Sequence, residues 1–336
     1  MSPVTSLVAS ALLIGAVALA LPTSYPDQLL LSSKITSAAA SNSTNPRPLV
    51  IWHGLGDTAM GDGIASWIDD IKELYPGIFV HSVQIPEGGS PDQERRAGFW
   101  GKAEDQGAEG CAQIAAVPEL KGGFDAIGFS QGGLFLRYYA QYCNSPPVKN
   151  LITFGTPHLG ISALIPCPTP PTLSCLLAAR AARSGIYTSY AQSHLIQAQY
   201  FRDSERLDTF LSTTTFVRDL NAEGRAVPPP EEGRSGREKG GKGLKGLENL
   251  VAVMFDMDRT VSPAQSAHWA SYSPENKTVI IPLEDQELYK SDWIGLRELD
   301  DKGRYKREHC PGEHMDLGSG DCGMRLVKQW VGWERD

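Results

Sequence analysis

Residues 128–133, Gly-Phe-Ser-Gln-Gly-Gly, set Ser130 between two glycines, each two positions away. That is the spacing of a nucleophile elbow, a strained turn in which a serine leaves a strand and enters a helix. A side chain at either glycine would strike the neighbouring strand or helix. The context fits. The apolar run "FDAIGF" at 124–129 precedes the serine, and residues 133–142 read as a helix after it. The turn aims Oγ out of the top of a sheet. It also puts the serine at a helix N-terminus, where N–H groups and the dipole favour a developing oxyanion.

A serine hydroxyl needs a base, and the base needs an orienting carboxylate. After an elbow these follow in the order Asp, then His, on loops beyond later strands. "NLVAVMF" at 249–255 runs into Asp256-Met257-Asp258, and "HCPGEHMDLG" lies near the C-terminus. Asp258 and His314 are the candidates. Asp256 is a rival, because both carboxylates would share one face of an extended segment, and His309 is a rival base. "WHGLGD" at 52–57 supplies a glycine-rich turn after the first strand, so the Leu55 and Gln131 N–H groups form a candidate oxyanion pair. Nothing in these residues asks for a metal or a cofactor.

These side chains must be carried by elements. "PLVIWH" (48–53), "IFVHSVQ" (78–84), "FDAIGF", "NLITFG" (150–155), "NLVAVMF" and "TVIIP" (278–282) read as buried strands, short and ended by turn residues. Ile64, Ile68, Ile71 and Tyr75 recur at helical spacing, with Trp67 and Leu74 beside them. Strand and helix in alternation predict an α/β fold, a mostly parallel sheet flanked by helices. Residues 160–220 contain no strand pattern and read as a helical cap insertion. Residues 222–247 are rich in Gly, Pro and charge and read as a disordered loop. Its basic end, Arg234 to Lys245, reads as a solvated linker.

The chain has 336 residues, 41% of them hydrophobic, and a net charge of -8. No basic face stands out, which argues against nucleic acid as a partner. Ser6–Leu21 is uncharged, too short for a comfortable membrane span, and ends in a small-residue cleavage pattern. Residues 1–20 therefore read as a secretory signal, with an uncleaved anchor as the alternative, and 21–47 as a flexible leader; once cleaved, the chain would keep no stable membrane anchor. The six cysteines form no C-x-x-C pair. In an exported chain they suggest three disulfides, with fifteen pairings open. Asn42 and Asn276 head glycosylation sequons.

Six motifs in order, "PLVIWHGLGD", "GFSQGG", "FGTPHLGI", "QAQYFRD", "LYKSDWIGLREL" and "GEHMDL", resemble the lysosomal palmitoyl-protein thioesterases, from about Pro48 to Phe210 and again from Asn249 onward. The resemblance implies an α/β-hydrolase fold and hydrolysis of fatty-acyl thioesters on protein cysteines through an acyl-serine. The implied partners are S-acylated proteins or peptides and long-chain acyl groups. It implies Ser130, Asp258 and His314 as the triad, which decides between the two aspartates. It also implies Leu55 and Gln131 as oxyanion donors, the disulfides Cys111–Cys143 and Cys167–Cys175, and an acyl groove in the 160–220 insertion. The expected location is the secretory pathway, in a lysosome or vacuole or outside the cell. An adjacent cysteine pair that the family can show after the first-strand turn is absent, with Thr58 and Ala59 there instead. Cys310 and Cys322 bracket His314, and we expect them to pair and hold its loop. An oxygen-ester lipase or carboxylesterase would use the same triad, and a non-catalytic secreted lipid-binding protein would use none of it.

Overall fold

The computed structural model describes residues 46–164, 183–223 and 243–332. The signal segment, most of the leader, Asn42, the Cys167–Cys175 pair, part of the cap and most of the 222–247 loop lie outside them.

Six parallel strands form the main sheet in the order β2-β1-β3-β4-β5-β8. They are β1 (Leu49–Trp52), β2 (Val80–Ser82), β3 (Phe124–Phe129), β4 (Val148–Phe154), β5 (Asn249–Phe255) and β8 (Tyr305–Cys310). The central strands are apolar throughout because both faces are covered. Val50, Trp52, Phe124 and Ala126 point into one core, with Leu134, Phe135 and Tyr139. Leu49, Ile51, Ile127 and Phe129 point into the other, with Ile64, Ile68 and Ile71 of helix α1 (Asp62–Leu74). Three further helices matter for the site: α2 (Pro91–Phe99), α3 (Ala103–Ala116) and α4 (Gln131–Tyr138). The Cys111–Cys143 bond ties α3 to the π-helical turn that continues α4.

β1 lies between β2 and β3, so the chain leaves it to one side and returns on the other. Such a switch opens a crevice at the carboxyl ends of the two diverging strands. The loop after β1 and the turn after β3, carrying Leu55 and Ser130, both end there.

Three sequence expectations require correction. "TVIIP" is not a buried strand of the main sheet. Ile280–Ile281 (β7) makes a two-residue antiparallel pair with Ser271–Tyr272 (β6), and Val279 is exposed. The sixth main strand is instead "YKREHC", β8, whose charged residues hid it. It is an edge strand, where alternating exposed charge is tolerated and discourages further pairing. The described ends of the leader and of the 222–247 segment are also packed, against expectation. Arg47 pairs with the buried Asp125 at 2.9 Å, Glu223 is buried against Arg202 at 2.9 Å, and Leu244 and Leu247 are core residues. Lys245, expected in a solvated linker, lies 2.8 Å from Glu298.

Candidate active site

Ser130 is the hinge of the β3–α4 turn, with φ 50° and ψ -118°. A positive φ in a residue with a β-carbon is strained, and such strain persists only where surroundings fix it. Here the Ser130 N–H donates to the Phe154 carbonyl at 2.7 Å, and its carbonyl accepts from Thr156 Oγ1 at 2.8 Å. A β-carbon on Gly132 would overlap the Trp52 and His53 carbonyls, and one on Gly128 would overlap Gly133. Both flanking positions therefore require glycine through close backbone approach.

β5 and β8 are neighbours in register, Phe255 opposite Cys310. Their tails stay joined beyond the sheet, as Asp256 N–H donates to Cys310 and Met257 N–H to Gly312. The chain then turns. Asp258 N–H donates to the Phe255 carbonyl at 3.2 Å, so the expectation that Asp256 and Asp258 share one face of an extended segment is wrong. Asp258 points inward, its side chain 1% exposed, and Asp256 outward, at 51%. Asp258 Oδ1 accepts from the Thr260 and Val261 N–H groups at 2.8 and 2.9 Å. Its Oδ2 lies 2.7 Å from His314 Nδ1, and His314 Nε2 lies 3.0 Å from Ser130 Oγ. An ionised carboxylate only accepts, so Nδ1 carries the proton and Nε2 is free to accept from the serine hydroxyl. The rival pair is also formed, His309 Nδ1 to Asp256 Oδ1 at 2.8 Å, out on the surface.

The segment holding His314 is closed by the Cys310–Cys322 disulfide, from the end of β8 to the start of the helix Cys322–Trp330. The two cysteines do pair and bracket the histidine, as expected.

Leu55 and Gln131 both sit at the mouth of the crevice. Among the described residues, neither backbone N–H donates to a backbone acceptor in a turn or cap. The Gln131 side chain has a job that the sequence did not disclose. Its Nε2 donates to the Gly98 carbonyl at 3.1 Å, and its Oε1 accepts from Tyr200 Oη at 3.0 Å. Gln197 Nε2 donates to the same Gly98 carbonyl at 3.0 Å. Gly98 packs on the turn at Leu55 and Gly56. The network thus braces both turns of the crevice from the cap. Burial pushes the Tyr200 phenol well above its ordinary range, so it stays a neutral donor. The motif "QAQY" was visible in the sequence, but only the fold brings it to the elbow.

Beside Ser130 and His314 opens a cavity of about 420 Å³. Ile161, Ala163 and Leu164 from the start of the insertion line it, with Ile64 and Trp67 from α1 and Val261, Met315 and Leu317 from the loops. The expected apolar groove is therefore shared, with the insertion giving one wall. Trp67 stood just off the α1 core stripe in the sequence, and that offset turns it toward the cavity.

A parallel sheet with a serine elbow at its switch point, meeting a histidine and an aspartate from later loops, defines a hydrolase of the α/β-hydrolase fold. Residues 48–314 match the family described as palmitoyl protein thioesterase, and the chain belongs to that family. It is 33% identical to palmitoyl-protein thioesterase 1 of Caenorhabditis elegans over 91% of this chain and 99% of that one. It is 30% identical to palmitoyl-protein thioesterase 3 of Dictyostelium discoideum, over 77% and 81%. A lysosomal thioesterase PPT2 homolog of Drosophila melanogaster is 27% identical, over 82% and 88%.

Proposed function

We propose that this protein hydrolyses long-chain acyl thioesters on protein or peptide cysteines, with Ser130 as nucleophile. The observation that carries the reading is the unbroken Ser130–His314–Asp258 relay, 3.0 and 2.7 Å, opening onto an apolar cavity. His314 Nε2 takes the hydroxyl proton as Oγ attacks the thioester carbonyl. Asp258, held by two backbone N–H groups, fixes the imidazole and offsets its positive charge. The Leu55 and Gln131 N–H groups receive the oxyanion, and losing one such donor typically costs about 3 kcal/mol. The C–S bond then breaks, the cysteine thiolate collects the proton from His314, and an acyl-serine remains. Water, deprotonated by the same Nε2, adds to the acyl-serine. Fatty acid leaves and Ser130 regains its proton. A thiol departs more readily than an alcohol, so little is asked of His314 as a general acid.

Secretory-pathway residence, in a lysosome or vacuole or outside the cell, is part of the same proposal. It is supported by the two described disulfides, by the apolar N-terminal segment, and by the exposed Asn276 sequon. The deciding assay compares an S-palmitoyl peptide with its O-ester counterpart, on the wild type and on Ser130→Ala. Thioester turnover abolished in the variant is expected. Turnover of the O-ester alone would make the protein a lipase, and acyl binding without turnover, unchanged in the variant, would make it a lipid carrier.

A further inference from the structure

Large apolar side chains stand in solvent around the cavity mouth. Leu55, which lines the cavity, is 37% exposed, and Phe99 and Trp100 at the end of α2 are 44% and 45% exposed. The Phe99 ring reaches to 4.0 Å from a β-carbon position on Gly56, next to Leu55. The patch continues into the cap. Trp100 is bridged to Leu195, and Gly101 N–H donates to the His194 carbonyl at 2.9 Å. His194 stacks on Tyr190, which is 62% exposed. Leu55, Phe99, Trp100 and Tyr190, distant in sequence, are thus linked by contacts into one rim, which meets the catalytic cavity at Leu55.

We propose that this rim docks on a zwitterionic phospholipid bilayer and receives the acyl chain directly from it. The proposal rests on the thioesterase reading. A long acyl chain on a protein cysteine lies in a membrane. Drawing it out through water costs about a fourfold loss of population per methylene, so a route that stays apolar is favoured. Trp and Tyr are suited to the task, since their rings bury in the interface while the N–H or O–H stays wet, and Phe adds a wholly apolar ring. Charge does not provide the attraction. The chain carries -8, and the rim is flanked by mixed charges, an Asp92–Arg95 pair with Lys102 and Asp105. Apolar insertion therefore drives the contact, and salt leaves it intact.

The test uses the full chain with Ser130→Ala, so that no turnover intervenes, and phosphatidylcholine vesicles. Among the described tryptophans Trp100 is the exposed one. Brominated lipid should quench its emission, and Trp100→Phe should remove that quenching. This readout reports on the rim even if Ser6–Leu21 also holds the chain on the vesicle. In otherwise wild-type protein, Trp100→Ser with Tyr190→Ser should cut turnover of a vesicle-embedded S-palmitoyl peptide at least about tenfold, and leave a soluble short-chain thioester unchanged. Absence of Trp100-dependent quenching, or its loss at high salt, overturns the proposal. A raised KM for a soluble acyl-peptide without vesicles overturns it too, and assigns the rim to the substrate polypeptide. Failure of the thioesterase reading shows separately, as wild-type protein that quenches normally but turns over no thioester.

Discussion

Two aspartate–histidine pairs lie side by side where β5 and β8 end. Asp258–His314 and Asp256–His309 contain the same side chains, with N···O separations of 2.7 and 2.8 Å. Each draws its carboxylate from the tail of β5. One is buried and meets a serine. The other is half in water and edges onto His268, ring centroids 5.1 Å apart. Burial pulls the His268 imidazole down to about 4, so that neighbour is neutral. The difference teaches that the dyad is not itself the functional unit. An exposed pair is screened and contributes little. The buried one is placed by a turn of three residues, by two N–H groups on Asp258 Oδ1, and by a disulfide-closed loop. It has a hydroxyl to act on because Ser130 is held in a strained conformation at the switch point.

The comparison can be broken most directly by substituting the two histidines. His314→Ala should lower kcat by about 10⁶, the scale for loss of a triad base, while His309→Ala should leave it within about twofold. Steady-state kinetics on an acyl thioester reads both. Equal losses would dissolve the distinction between the pairs. The aspartates come next. Asp258→Asn should cost about 10⁴ in kcat, since the amide stabilises the wrong tautomer, whereas Asp256→Asn should cost no more than about 1 kcal/mol of stability and almost no activity.

A smaller effect sharpens the account of how the inner pair is held. Replacing Cys310 and Cys322 together by serine should lower unfolding free energy by about 3 kcal/mol, as expected for a short closed loop, measured by urea denaturation. The smallest effect concerns the brace. Tyr200→Phe removes one hydrogen bond to Gln131, worth about 1 kcal/mol. It should reduce kcat about fivefold with KM nearly unchanged if that bond steadies the oxyanion turn. Tyr200 also lines the cavity, so a shift in KM alone would mean that it acts only as a wall.

Much of this was legible in the chain. β3, β5 and the α1 stripe follow from continuous or helically spaced apolar residues, because a sheet covered on both faces leaves a strong hydrophobic record. The elbow was legible because two glycines are forced by backbone contact. β8 was not. An edge strand is stabilised by its ladder on one side and carries water-facing charge, so "YKREHC" resembles a loop. "TVIIP" erred the other way, its β-branched residues fitting a short surface hairpin as well as a core strand.

The sequence by itself determined which residue types were available and roughly where each strand would deliver them, because propensity and periodicity are local properties. Which aspartate faces the serine, whether the insertion's tyrosine braces the elbow, and how exposed aromatics from two segments join Leu55 in one rim were decided by tertiary structure. Those outcomes depend on a single turn after Phe255 and on contacts between residues tens to hundreds of positions apart, which no local pattern encodes.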